Sequence, residues 1–338
     1  MTHTPQATTE LTLERLDVSA LDWQQLDRYP DREVFQTRHW LEFLERTQGA
    51  EPVVAAVQSG RETVGYFTGG VVKRLGVRML GSPFPGWTTG ALGFNLDDGI
   101  NRRDALAALP RFAWRELGCL HLEIKDRRLG AGDFEANGFS HSPYFTFEID
   151  LDRDDEELLA SMSSACRRAI RKGIKEGVVV EEASSEDFAD EYHAQLVDVF
   201  AKQDLKPPYD AERVRELIRC VHPGSRLLLL RALSPDGEPI ATGIFPAMNG
   251  TAWFWGGASW RSHQILRPNE AVFWHAMRHW RDRGVSVLDT GGGGDYKRKY
   301  GVREVTVPMG RRSRLPGLAR ARDVAAAVYS RAAFGGRA

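Results

Sequence analysis

Apolar positions recur along this chain with two different periods, and the two periods mark out its elements. WLEFLERT (Trp40–Thr47) repeats its apolar residues at helical spacing. VVAAV (Val53–Val57) and TVGYFTGGVV (Thr63–Val72) are short apolar runs parted by Ser59–Gly60, which predicts two strands and a turn. MLGSPFPGWTTGALGF, residues 79–94, is rich in Gly and Pro and predicts a structured loop. Residues 102–117 have a helical pattern that Pro110 is expected to kink or interrupt, because proline removes one amide donor. HLEIKD (121–126) and YFTFEIDL (144–151) predict strands.

The acidic cluster at 150–157 opens a second stretch. Leu158, Leu159, Met162, Cys166, Ala169, Ile170 and Gly173 keep one helical phase through 156–177, predicting a single long helix with Gly177 as its C-terminal cap. A strand (VVVEEA), a polar helix from Phe188 to Gln203 and a helix over AERVRELIRCV follow. RLLLLRA, PIATGIFPAM and TAWFWGGAS predict three consecutive strands with turns at Asp236–Gly237 and Asn249–Gly250. Pro268 suits the first turn of a helix carrying Val272, Phe273, Ala276, Met277 and Trp280 on one face, and VSVLD is the next strand. The order of elements in the second stretch is loosely repeated in the first. The fold class expected is mixed α/β (α+β) in two related domains, each a twisted mixed sheet flanked by helices. The boundaries expected are a loose tail over 1–10, a first domain over 11–150, a second over 151–310 and a basic helix over 311–338.

Length agrees with two domains, since 338 residues exceed one ordinary core. Charge narrows the function classes. Lys and Arg total 45 against 46 Asp and Glu, so a globally basic nucleic-acid binder is not indicated and any anion site must be a local patch. Cys119, Cys166 and Cys220 form no paired motif, so neither a metal cluster nor a disulfide framework is expected, and a reducing cytoplasm fits. The first residues lack a basic start with an apolar core, and no apolar run approaches the length of a membrane span.

Candidate chemistry gathers in LDTGGGGDYKRKYG, residues 288–301, where a strand end runs into four glycines, an acid, a tyrosine and three cations. It lacks the Gly-Lys-Ser/Thr ending of a Walker loop. A dinucleotide fingerprint would need glycine where Tyr296 stands. What remains is a turn whose amides can hold an oxyanion or phosphate, or a plain glycine turn beside solvated lysines.

Together with Cys166-Arg-Arg-Ala-Ile-Arg-Lys172, GVVV, Arg267-Pro-Asn-Glu270 and YKRKYG, this segment resembles the Fem-type branch of the GNAT-like acyltransferases, which includes aminoacyl-tRNA-dependent peptidoglycan bridge enzymes. The resemblance runs from about residue 145 to 308. It is weaker in the first half, where FQTRHW (Phe35–Trp40) and GSPFPGW carry it. It implies two GNAT-like domains in tandem and N-acyl transfer to an amine of a cell-wall precursor or small metabolite. The donor is then a co-substrate, aminoacyl-tRNA or acyl-CoA, with no resident cofactor. Acetyl-CoA enzymes of the superfamily usually hold the pyrophosphate with Gln/Arg-x-x-Gly-x-Gly/Ala before the long helix. ASWRSHQILRPNE has no glycine between Ala258 and Glu270, which shifts weight to the tRNA-linked donor.

The roles expected follow from acyl transfer, which needs a neutral amine, oxyanion stabilisation and a proton for the leaving group. The resemblance places Lys297 near the reacting groups and makes it the first candidate for the oxyanion or a phosphate, with Arg298 and Lys299 as rivals; on an extended segment the two lysines would share a face. Asp289 is the candidate base and Tyr296 the candidate acid. The resemblance implies that Gly292 and Gly293 floor the site, and it aligns Arg167 with an arginine that holds acceptor phosphates. Arg171 and Lys175 extend its row at i+4 and i+8. Glu270 is expected to cap its helix. Arginines from 311 onward make the tail basic, suited to anionic lipid at the inner membrane face or to tRNA. Two other readings stay open: an acyl-CoA N-acetyltransferase, and a catalytically silent sugar-phosphate-binding module.

Overall fold

A computed structural model describes residues 10–202 and 204–317. In chain order the elements are β1 (Leu11–Arg15), α1 (Trp23–Asp27), α2 (Arg38–Gln48), β2 (Glu51–Ser59), β3 (Glu62–Arg74), β4 (Val77–Ser82), β5 (Gly93–Leu96), α3 (Arg102–Arg115), β6 (His121–Lys125), α4 (Ala131–Ala136) and β7 (Ser140–Asp150). The second half continues with α5 (Asp155–Ser161), α6 (Ser164–Lys175), β8 (Val179–Ala183), α7 (Phe188–Ala201), α8 (Ala211–Val221), β9 (Leu227–Leu233), β10 (Pro239–Met248), β11 (Thr251–Trp253), β12 (Gly256–Ser259), α9 (Pro268–Arg281), β13 (Val287–Asp289) and β14 (Arg303–Ser313).

The described chain forms two compact units, one of 10–32, 49–143 and 307–317, the other of 33–48 and 144–306. The division differs from the sequential 11–150 and 151–310 boundaries. Helix α2 belongs with the second unit because its buried face packs on α8, and the end of β14 belongs with the first because Met309–Ser313 pairs with β6.

In the first unit the strand order is β1-β2-β3-β4-β6-β14, with β5 on β3. All pairs are antiparallel except β4 with β6. Its core joins Val53, Phe67, Leu80, Phe94 and Ile124 of the sheet to Leu106, Leu109 and Phe112 of α3. Helix α3 continues through Pro110, against expectation, with Leu106, Leu109, Phe112 and Ala113 buried on either side of it. That burial outweighs the one backbone bond that proline removes. The region expected as a loop over 79–94 gives its first residues to β4 and its last to β5. Arg311 and Arg312, expected to open a basic helix, lie in β14 opposite Glu123 and Leu122; the remainder of that tail, 318–338, lies outside the described residues.

In the second unit the order is β7-β13-β11-β10-β9-β8, with β12 also on β10. Here β11 and β13 are parallel and the other pairs antiparallel. Helix α9 lays Val272, Phe273, Ala276, Met277 and Trp280 onto this sheet. The long helix expected over 156–177 is two helices. Met162 is extended, and Ser163 caps α6 by accepting from the Cys166 amide while its own amide donates to Lys299 O at 2.9 Å. Helical phase survives the break, so periodicity could not reveal it. Gly177 closes α6 at φ +79°, as expected. The strand expected over TAWFWGGAS is also two, parted at Phe254–Trp255.

Candidate active site

That last break creates the site. Strands β11 and β13 run side by side as far as Trp253 opposite Asp289. The Phe254 amide makes one more bond to Asp289 O, at 2.8 Å. From there β12 follows β10, while the chain after Asp289 follows β7: Thr290 N donates to Phe147 O (2.7 Å) and Phe147 N to Gly291 O (3.3 Å). Two neighbouring strands therefore fork inside one sheet, and the glycine run lines one arm.

The glycines answer two local demands. Gly291, Gly293 and Gly294 take φ of +73°, +74° and +79°, where a side chain is strained. Gly292 lies flat against the neighbouring strand β7; a Cβ there would stand 2.4 Å from Phe145 O. What comes closest to this run is the protein's own chain.

Residues 295–300 form a 3-10 helix, not the extended segment expected, so the three cations point in different directions. Lys297 turns inward and is 6% exposed. Its Nζ donates to Thr290 O at 2.5 Å and Gly292 O at 3.2 Å, with Gly291 O at 3.5 Å, and sits 5.8 Å from the Phe254 ring. Burial pulls its pKa down from 10.5 to about 8, opposed by the nearby Asp289 charge. The ammonium thus ties the turn together from beneath. Arg298 is exposed, pairs with Glu304 (2.7 Å) and Asp295 (3.4 Å) and covers the Phe147 ring. Lys299 pairs with Glu270 at 2.7 Å. Glu270 is buried by that pairing; the residue at the helix cap position is Arg267, with no side-chain cap bond.

Asp289 is fully buried. Its Oδ1 accepts from Thr146 Oγ1 and from the Gly291 amide (2.7 Å). A substrate amine does not reach a carboxylate so enclosed, and the base role expected for Asp289 gives way to one of shaping the turn. Tyr296 is 54% exposed, yet its crowded surroundings push its phenol pKa up through desolvation. Tyr144, which the sequence reading missed, is 38% exposed and brings its hydroxyl to 3.4 Å from the Gly292 amide. Its pKa is also raised by desolvation. Beside β12, the Tyr192 and Tyr209 hydroxyls bond at 2.8 Å, and Gly256 exists because a Cβ would meet the Tyr192 hydroxyl at 2.4 Å. Four phenols thus gather around a fork that the sequence marked with one.

On α6 the expected row divides. Arg167 Nη1 donates to Met162 O (2.6 Å) and to Leu159 O and Ala160 O (3.3 Å each), capping the end of α5. Those bonds close the end of α5 at the break and use one guanidinium nitrogen of the half-exposed Arg167. Arg171 and Lys175 remain exposed and form no ion pair among the described residues.

Residues 160–299 match the family described as acetyltransferase (GNAT) domain. The solved structure of FemX superposes with a TM-score of 0.72 at 14% identity, covering 92% of this chain and 99% of that one. A tandem GNAT protein from the clavulanic acid biosynthesis pathway gives 0.52 at 14% identity, covering 91% and 100%. The C-terminal domain of a putative lysylphosphatidylglycerol synthetase from Agrobacterium fabrum gives 0.53 at 12%, covering 85% and 90%. No curated protein matches by sequence. Residues 160–299 are thus similar to a GNAT acetyltransferase domain, and the chain shares its fold with FemX and with the tandem GNAT protein.

A helix N-terminus holds an anion through its free backbone amides, and three features bear on this at the start of α9. Pro268 removes one of those amides. Helix α6 presses on the same junction, since a Cβ on Gly173 would lie 3.3 Å from Leu266 O. The buried Glu270 carboxylate adds negative charge in the first turn. Lys299 pairs with that carboxylate at 2.7 Å, so this turn carries an ion pair in place of a free charge.

Proposed function

We propose that this acyltransferase moves an aminoacyl group from aminoacyl-tRNA to the amine of a cell-wall precursor or small metabolite. The observation that supports this choice of donor is the α9 N-terminus, where Pro268 removes one amide, Gly173 packs on Leu266 and Glu270 adds a carboxylate that Lys299 pairs. The exposed pair Arg171 and Lys175 suits a nucleic-acid backbone, where cations contact phosphates without reading sequence.

The amine nitrogen attacks the ester carbonyl, a tetrahedral oxyanion forms, and the carbon–oxygen bond to the tRNA ribose breaks. The amine proton leaves to water, and the departing ribose oxygen takes a proton from Tyr296 or Tyr144, which reach the fork. Lys297 acts as a positioning residue: it holds the turn, and its charge lies beneath the site where the oxyanion develops. The acyl group passes directly, without a covalent acyl-enzyme. Burial raises the thiols of Cys119, Cys166 and Cys220 to about 11 each, which leaves them protonated and poor nucleophiles. The cytoplasm holds such a donor; no helix among the described residues is long and apolar enough to cross a membrane.

Radiolabelled aminoacyl-tRNA and acetyl-CoA offered side by side, with a panel of amines, test the proposal. Label moving only from the thioester would replace it with the acyl-CoA reading, which the family description favours. Tight ligand binding with no turnover from either donor would make the fork a binding module.

A further inference from the structure

A second cluster lies on the same unit, away from the glycine turn. His275 and His279 are four residues apart on α9, so they project from one side of the helix. Glu182 of β8 comes to them from a strand more than ninety positions earlier. A donor atom from each of the three lies within 4.8 Å of the other two. The Glu182 carboxylate is 2.8 Å from His279 Nδ1, and the imidazole planes are inclined at 29°. His279 is 8% exposed, and its Nε2 has no hydrogen-bond partner. Glu182 alone holds the ring, so exchanging that bond for a metal bond breaks nothing else.

We propose that Glu182, His275 and His279 form a binding site for a borderline divalent transition metal such as Zn(II), with a fourth position open to water. Two imidazoles and one carboxylate are the donor set such ions take, and nitrogen ligands exclude Mg(II) and Ca(II) as natural occupants. The geometry is near the requirement. Bonds of about 2.0–2.1 Å place tetrahedral ligands about 3.3 Å apart. The Glu182–His279 distance must therefore open slightly, and the widest separation must close by about 1.5 Å, within the reach of a half-exposed His275 and an exposed Glu182. The neighbouring cations do not occupy the cluster. Arg278 turns to Asp155 (3.2 Å) and Arg283 to His279 O (3.1 Å). Asp282 is bound to Arg281 at 2.9 Å.

A metal here would fasten β8, the last strand on its side of the sheet, to the helix whose first turn carries Glu270. This fastening does not depend on which acyl donor the fork takes.

The test is calorimetric titration of Zn(II), and absorption on adding Co(II), with untagged, chelator-treated full-length protein. One equivalent should bind with a dissociation constant of about 10 μM or tighter, and the cobalt spectrum should be that of a low-coordinate site. Mg(II) at millimolar concentration should not compete. His275→Asn should weaken binding about 100-fold and Glu182→Gln about 10-fold. Both residues reach solvent, so neither substitution endangers folding. Zinc should raise the melting temperature of the wild type and not of His275→Asn. Absence of a saturable site, or a site that survives His275→Asn unchanged, overturns the proposal.

Discussion

Replacing Lys297 with Met removes the charge under the glycine turn and keeps most of the side-chain volume. Two opposing terms set the effect at pH 7. The two shorter bonds, to Thr290 O and Gly292 O, are charge-assisted and contribute about 1.5–3 kcal/mol each. Burying the ammonium opposes folding. A shift from 10.5 to about 8 corresponds to about 3.5 kcal/mol at about 1.4 kcal/mol per pH unit. The net loss at neutral pH is therefore modest, about 0–2.5 kcal/mol. Its pH dependence is the sharper quantity. Between pH 8 and 10.5 the unfolded chain still holds a proton on this lysine that the folded chain has released, so wild-type stability rises with pH across that window. Lys297→Met lacks the group, and every other titration is common to both proteins. Urea unfolding of the two at pH 7 and pH 9.5 should show the wild-type advantage growing by about 2 kcal/mol. An advantage that stays within about 0.5 kcal/mol of its neutral value would mean that the lysine titrates normally and is not buried under the turn.

Gly292→Ala should lower turnover at least tenfold and destabilise by about 1–3 kcal/mol, because its Cβ would collide with Phe145 O; Gly293→Ala meets no atom and should lose only about 1–2 kcal/mol through its positive φ. Kinetics with thermal melts separate the two. Lys299→Met should destabilise by about 2–3 kcal/mol by stranding the Glu270 carboxylate, and adding Glu270→Gln should recover part of that loss in a double-mutant cycle. Arg171→Gln with Lys175→Gln should leave the melting temperature unchanged, raise the KM for aminoacyl-tRNA about tenfold and flatten the salt dependence of binding by about one to two units of slope. Tyr296→Phe and Tyr144→Phe should each lower kcat about 10- to 100-fold with KM little changed, and an unchanged kcat in both would remove the phenols from proton transfer.

Local pattern determined much of this protein by itself. Period-two and period-3.6 spacing placed the strands and helices. The glycine run after β13 marked the region that carries the candidate site, and the motif order pointed to tandem GNAT-like domains, as the fold bears out. What the sequence left undecided depends on contacts between distant residues. The break at Met162 is closed by Arg167 folding back onto α5 and by Lys299 O meeting the Ser163 amide, and neither leaves a trace in helical phase. The inward turn of Lys297 depends on carbonyls that converge only once Phe147 has paired with the chain after Asp289. Tyr144 had no local signal beyond a strand's alternation, and it joins the fork because β7 runs beside β13. The spacing of His275 and His279 was visible in the sequence, but Glu182 joins them only through the packing of α9 against β8. Periodicity reports which face of an element is buried; partner choice is fixed by tertiary packing, and the chemistry of a site is made by partners.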